Sequence, residues 1–358
     1  MRIVQVMPEF GLAGAETMCE NLTYELIKLG HDVTVISMYD YRSAITERLE
    51  NKGIDIRYLG KKSGLDFSMI PKIRKILVEV KAEVLHTHRY CAQYAVPAAI
   101  AARVKHRVHT VHNIAHKENS KPARLLNKLF FKQHKLIPVA LSPEIQKTVI
   151  EEYSLPAYRV PIIFNGIDFS KCIVKKNYDI DGKFKILHIG RFSSQKNHIG
   201  LLAAFEKFNS KNPNSVLQLI GDGELKTETE KYVLEHKLSD CVEFLGTQSN
   251  IYPFLQRADM FILPSNYEGI PMTLIEAMGT GLPIVATAVG GVCDMLDAKS
   301  ALLVNVDIQE IANAVSKLYL DGDLRKSLGE SALKRSKVFS AEIMAKKYLN
   351  VYIGESDE

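Results

Sequence analysis

Glu268 and Glu276 are the residues of this sequence best spaced for chemistry on a ligand rich in hydroxyls. They close the run Glu268-Gly269-Ile270-Pro271-Met272-Thr273-Leu274-Ile275-Glu276, which follows a strand-like stretch at 259–263. Pro271 stands where a first helical residue is expected, because its missing N–H costs nothing there. Glu268 is therefore expected in a strand-to-helix loop, and Glu276 about one turn into the helix. One carboxylate can then reach a sugar and the other a ribose. The helix N-terminus beside them favours phosphate through its N–H groups and its dipole. That row of a sugar, a phosphate and a ribose is the chemistry of a nucleotide-sugar.

A second loop carries the complementary charge. Gly190-Arg191-Phe192-Ser193-Ser194-Gln195-Lys196-Asn197 follows a strand-like run at 185–189 and precedes a helix-like segment at 198–209. Arginine can hold a diphosphate bidentately and lysine can hold it as a point charge. The plainer reading is a solvated loop with one ion pair. Gly11-Leu12-Ala13-Gly14-Ala15-Glu16 opens the first helix. It allows close backbone approach to a ligand, although a tight turn needs glycine in any case. Gly221-Asp222-Gly223-Glu224 either touches the nucleoside or simply turns the chain. His86-Thr87-His88, His109-Thr110-Val111-His112-Asn113 and Asn165-Gly166-Ile167-Asp168 also fall at strand ends. The histidine spacings could suggest a metal. In a strand, however, residues three apart face opposite sides, and no carboxylate or cysteine nearby completes a set. Contact of His88 or His112 with a sugar hydroxyl is the preferred reading.

These groups need a scaffold, and the hydrophobic pattern supplies one. Short apolar runs at 3–7, 33–37, 55–59, 84–87, 107–111, 136–139 and 161–164 alternate with amphipathic stretches such as 15–29 and 70–80. The alternation restarts at 184–190 and continues at 217–220, 242–245, 260–263 and 283–286. Strands alternating with helices imply parallel sheets covered on both faces, with ligands at the carboxyl ends of the strands. The predicted fold class is α/β. It has two Rossmann-like doubly wound domains facing each other across a cleft. We expect an N-terminal domain at 1–168, a linker at 169–182, a C-terminal domain at 183–339 and a final helix at 340–358.

The 358 residues, 46% hydrophobic and 24% charged, suit a two-domain globular protein. No apolar run approaches the ~20 residues of a membrane span. Residues 1–7 read as a strand rather than a secretion signal. The five scattered cysteines contain no Cys-x-x-Cys and read as reduced thiols. The net charge of +5 is uneven: residues 1–175 sum to +9 and residues 176–358 to −4. No base-reading motif accompanies the basic half, so nucleic acid is not expected as a partner. Residues 117–135 carry six Lys or Arg and one acid among Leu and Phe. That composition suits a helix lying on an anionic membrane surface. The alternative is an ordinary helix whose Leu125, Leu129 and Phe130 face the core.

Taken together, these residues resemble glycosyltransferase family 4, of the GT-B glycosyltransferases, over nearly the whole chain. The Glu-x7-Glu pair (Glu268, Glu276), the Gly-Arg-x4-Lys loop (Arg191, Lys196), the early glycine loop and Asn165-Gly166-Ile167-Asp168 occur in the family's order. The resemblance implies retention of configuration, no metal or other cofactor, an acceptor-binding N-terminal domain at 1–168, a donor-binding C-terminal domain at 183–339, and a C-terminal helix that returns to the N-terminal domain. It implies catalytic roles for Glu268, Arg191, Lys196 and His112. Donor binding falls to Gly14, Gly190, Arg191, Lys196, Gly221, Gly223, Glu268, Gly269, Ile270, Met272 and Glu276. Acceptor contacts fall to His88, Asn113 and Asn165. The expected reaction moves a sugar from a nucleotide-sugar, with a UDP-sugar favoured, to a glycan or polyprenyl-diphosphate-linked acceptor in polysaccharide biosynthesis. The expected location is cytoplasmic, at the inner face of the cytoplasmic membrane. Two alternatives stay open on sequence. One is a nucleotide-sugar epimerase, which needs acid/base carboxylates that the N-terminal half does not show. The other is a non-catalytic nucleotide-sugar-binding subunit, against which the intact Arg191, Lys196, Glu268 and Glu276 argue.

Overall fold

A computed structural model describes residues 1–354 of the protein. They form two units, one of Met1–Ile167 with the segment from Phe339 onward, the other of Asp168–Val338. The first holds strands β1 (Arg2–Met7), β2 (Asp32–Ser37), β3 (Asp55–Tyr58), β4 (Val84–His88), β5 (His106–Val111) and β6 (Ile137–Ala140). They lie in the order β3-β2-β1-β4-β5-β6, and every pair is parallel. The second unit holds β7 (Phe184–Ile189), β8 (Ser215–Ile220), β9 (Val242–Phe244), β10 (Met260–Leu263), β11 (Ile284–Thr287) and β12 (Leu302–Val304). Their order, β12-β11-β10-β7-β8-β9, repeats the same winding.

Both sheets are buried on two faces, so their central strands are continuous apolar runs such as Met260-Phe261-Ile262-Leu263. The strand order reverses between β1 and β4 in one unit and between β7 and β10 in the other. A crevice opens at such a switch point because the connecting helices leave on opposite faces there. The Gly190–Asn197 loop follows β7 and the Pro264–Pro271 loop follows β10. The two predicted ligand loops therefore flank one switch point.

Several boundaries differ from those expected. The run at 161–164 makes only a single bridge, Ala140 to Ile162, because Pro161 has no N–H to extend a ladder. Strand β12 lies at a sheet edge, and its three half-buried residues gave too short a signal to read. Residues 117–135 divide into Ala115–Glu118 and Lys121–Lys132, broken at Asn119-Ser120 ahead of Pro122. Pro271 is extended (φ −72°, ψ 119°) and flanks the helix Met272–Gly279 rather than starting it. Residues 169–182 lie within the second unit, where Lys175 N–H donates to Thr280 O and the Tyr178 hydroxyl to Gly281 O.

The final helix, Ala341–Ile353, belongs to the first unit. Ser340 caps it by accepting from Ile343 N–H, and Ile167 and Phe339–Ala341 exchange backbone hydrogen bonds. It buries Tyr348 and Tyr352 completely. Residues 355–358 of the expected terminal segment lie outside the described residues.

Candidate active site

In the second unit, the loops after β7 and β10 are stitched together by their own polar groups. Asn266 N–H donates to Gln195 O at 2.8 Å, and Asn266 Nδ2 donates to Ser194 O at 2.7 Å. Asn197 caps the helix His198–Asn209 from a left-handed conformation (φ 53°) and donates through Nδ2 to Pro264 O. This stitching places Lys196 against Glu268, with Nζ 2.5 Å from Oε1. Ser265 Oγ donates to the same oxygen at 2.5 Å, and Gln195 Nε2 donates to Oε2 at 3.2 Å. Ser265 is itself fixed by Thr287, whose hydroxyl donates to its carbonyl at 2.6 Å. The Glu268 carboxylate is thus held by three donors at the switch point.

The loop carrying Glu268 is shaped from beneath by Gly291. A β-carbon there would sit 2.1 Å from Gly269 O, and Gly291 N–H donates to Glu268 O at 3.2 Å. Gly221 acts likewise for the basic loop. Its φ is +143°, and a β-carbon would sit 2.0 Å from Gly190 O. A β-carbon on Gly223 would sit 2.4 Å from Phe192 O. These glycines bring the 221–224 turn against the Gly190–Phe192 backbone. There Arg191, 73% exposed at its side chain, pairs with Glu224 at 3.1 Å.

Met272 and Thr273 start the helix with N–H groups that have no intrahelical acceptor. Further along that helix lies Glu276, buried, with Oε1 3.5 Å from the Tyr252 hydroxyl. Burial raises its pKa to about 8, against the opposing charge of Lys171. Behind Lys196, burial holds His188 and His198 neutral, with pKa values lowered to about 4 and about 2.

In the first unit, strand register gathers the histidines. Gln5 pairs with His86, and His88 pairs with Thr110. Side chains two apart on a strand share a face. Gln5, His86, His88, Thr110 and His112 therefore line one face at the carboxyl ends of β1, β4 and β5. His88 Nδ1 lies 3.0 Å from His112 Nε2, and His88 Nε2 lies 3.3 Å from Gln5 Oε1. His86 bonds to Tyr352 and Thr110 at 2.7 Å each. His109 points to the other face, toward Thr87 and Phe131.

His88 is wholly buried, and both of its ring nitrogens are engaged, by His112 and by Gln5. Asn113 is exposed and caps Ile114 N–H, Asn165 is buried, and Gly14 is exposed at the first helix. Beside these stand residues that the sequence reading passed over. Arg89, at φ +53°, pairs with the buried Glu16 at 2.8 Å. Glu118 accepts from His112 N–H at 2.7 Å, and burial raises its pKa to about 8. Gln195, Tyr252 and Gly291 were missed as well; only the glycine pair Gly290-Gly291 after β11 offered a local signal.

Two doubly wound units, one with a paired lysine and carboxylate at its switch point, define a GT-B glycosyltransferase. Comparison with known proteins agrees. Residues 171–335 match Glycosyl transferases group 1, and residues 12–171 match Glycosyltransferase Family 4. The chain is 30% identical to the Escherichia coli UDP-Gal:alpha-D-GlcNAc-diphosphoundecaprenol alpha-1,3-galactosyltransferase, over 71% of this chain and 70% of that one. It is 27% identical to the N-acetyl-alpha-D-glucosaminyl L-malate synthase of Bacillus anthracis, over 80% and 78%. The crystal structure of Anabaena HepE with UDP and glucose shares the fold at a TM-score of 0.85, with 18% identity over 97% of this chain and 98% of that one. The chain belongs to glycosyltransferase family 4 and is a glycosyltransferase.

Proposed function

We propose that the protein transfers one sugar from a UDP-sugar, with retention of configuration, to a glycan or polyprenyl-diphosphate-linked acceptor in cell-surface polysaccharide biosynthesis. The observation that carries this reading is the buried Lys196–Glu268 pair beside the start of the helix that bears Glu276. Lys196, with Arg191, stabilises the departing diphosphate, the task a divalent metal performs elsewhere. Glu268 binds the donor sugar and Glu276 the ribose. The backbone at Gly14, Gly190, Gly221, Gly223, Gly269, Ile270 and Met272 lies close to the donor. His112 meets a sugar hydroxyl, and Asn113 and Asn165 serve the acceptor. The leaving phosphate takes the acceptor's proton on the same face.

The E. coli relative's name gives a diphosphoundecaprenol-linked substrate, and the Anabaena structure holds UDP and glucose. Both support a UDP donor and a lipid-linked acceptor here. No described helix is long and apolar enough to cross a membrane. We assign contact with the inner face of the cytoplasmic membrane to the helix Lys121–Lys132. Leu125 (72% exposed) and Leu129 (48%) stand there among lysines, while Phe130 and Phe131 face the core.

The test is a thermal-shift panel of UDP, GDP, ADP and TDP with their sugar conjugates, in chelator. A ligand at 100 times its Kd adds about 2.7 kcal/mol. Stabilisation by UDP alone among the nucleotides, followed by transfer of a sugar with its anomeric configuration kept, is the expected result. No response to any nucleotide would overturn the reading.

A further inference from the structure

A run of hydrogen bonds through the first unit determines which nitrogen of His112 carries its proton. It begins at Thr23 in the helix Gly14–Lys28. The Thr23 hydroxyl donates to Cys19 O at 2.8 Å. Its one proton is spent there, so at the 2.6 Å contact with Gln5 it accepts, and the Gln5 group facing it is the amide N–H. The Cys19 thiol donates to Gln5 Oε1 at 3.2 Å, which agrees with that orientation. Gln5 Oε1 therefore faces His88 Nε2. An amide oxygen only accepts, so His88 Nε2 bears the hydrogen and Nδ1 the lone pair. At the 3.0 Å contact that follows, His112 Nε2 must be the donor. His112 Nδ1 is left as a bare lone pair. It has no partner among the described residues, and the His112 side chain is only partly buried.

We infer that Gln5 and His88 are positioning residues that lock His112 in its Nε2–H form, so that it meets its ligand as a hydrogen-bond acceptor at Nδ1. The group it takes is then an O–H donor, a hydroxyl of the sugar or of the acceptor, and not a phosphate or carboxylate oxygen. This last clause rests on the transferase reading; the tautomer itself does not. Protonation does not undo the lock at neutral pH. Burial first, and then the neighbouring His88, push the His112 pKa well below the ordinary value. His86 backs the arrangement from the other side, with its ring 4.2 Å from His88 and its nitrogens held by Tyr352 and Thr110. A purely structural role, in which the network only satisfies buried polar groups, leaves the His112 tautomer without consequence for turnover.

The experiment is a long-range 1H–15N correlation on the full-length protein with 15N-labelled histidine at pH 7, assigned with single-histidine variants. The expected spectrum shows Nδ1 unprotonated on both His88 and His112. A proton on Nδ1 of either ring overturns the inference, and this measurement on the unaltered protein needs no variant to fold. Gln5→Met removes the oxygen opposite His88. It is expected to move His112 toward the Nδ1–H form and to lower kcat about 10- to 100-fold, with donor KM changed by less than about threefold. His88→Gln keeps an oxygen toward His112 and an N–H toward Gln5, and His88→Leu keeps neither. The Gln variant should exceed the Leu variant in kcat by about tenfold and retain the His112 tautomer. Equal activity of the two, or an unchanged tautomer and kcat in Gln5→Met, overturns the relay. Should the protein transfer no sugar at all, the nitrogen spectrum still decides the tautomer, so the two readings fail separately.

Discussion

Lys196 Nζ lies 2.5 Å from Glu268 Oε1, with both side chains almost wholly withdrawn from solvent. Before any ligand arrives, the lysine thus has a carboxylate partner. That carboxylate keeps Ser265 and Gln195 as donors if the lysine turns away. A diphosphate arriving beside the helix start can therefore draw the lysine without leaving Glu268 stranded, which suits a cation used in the transition state. Lys196→Ala should lower kcat by about 10²–10³, the scale of losing one preorganised donor to developing charge. Its melting temperature should fall as well, because Glu268 keeps two neutral donors but loses the cation that offsets its buried charge. Steady-state kinetics beside a melting curve check this; near-full activity would remove Lys196 from the diphosphate.

Gly291 sets the height of the Glu268 loop from a different strand connection. A methyl group there would overlap Gly269 O, which is backbone and cannot swing aside. Gly291→Ala should cost about 1–3 kcal/mol as overpacking. It should also raise donor KM, since Gly269 and Ile270 must shift. Calorimetry and donor titration read the two effects, and an unchanged variant would mean that the loop is not held from below.

The strands and the two ligand loops were legible because they depend on local signals. Buried parallel strands read as apolar runs, and 260–263 matches β10 residue for residue. What failed were edges and pairings. The run at 161–164 has strand-like side chains, but Pro161 lacks the N–H that a ladder needs. The His88–His112 contact arises from the parallel register of β4 on β5, which no spacing within either strand reveals. Gln5 is the one polar residue in the apolar run at 3–7, and its role depends on helix Gly14–Lys28 folding over it. Gln195 gains meaning only once two distant loops are stitched together.

The helix Lys121–Lys132 keeps Leu125 and Leu129 exposed while Phe130 and Phe131 anchor it. Leu125→Ser with Leu129→Ser should therefore leave the melting temperature nearly unchanged. It should weaken sedimentation with anionic vesicles by about 10- to 100-fold, since a fully buried Leu contributes about 1.5–3 kcal/mol and these insert in part. Raising salt should weaken the parent's binding too, as screening shortens the reach of the lysines. Vesicle binding equal in variant and parent would take this helix out of the contact.

The pH profile of stability follows from groups buried in uncharged form. His86, His88, His109, His112, His188 and His198 all have folded pKa values below the ordinary 6.5. Below 6.5 the unfolded chain binds protons that the folded one does not, so stability is lost as pH falls from there. Glu118 and Glu276 act in the opposite sense. Burial raises each from 4.5 to about 8. Their contribution is complete below 4.5 and is lost as pH rises toward 8. Between 4.5 and 6.5 the six histidines outweigh the two acids, and above 6.5 only the acids remain. Stability should therefore peak near pH 6.5 and decline toward pH 8. Each acid contributes at most about 1.4 kcal/mol per pH unit to that decline. Glu276→Gln, which stays neutral, should roughly halve the alkaline slope and leave the acid limb in place. Urea unfolding at half-unit pH steps measures both limbs. An alkaline slope identical in Glu276→Gln and parent would show that Glu276 is already ionised in the folded protein, and a peak well above pH 7 would count against both acids.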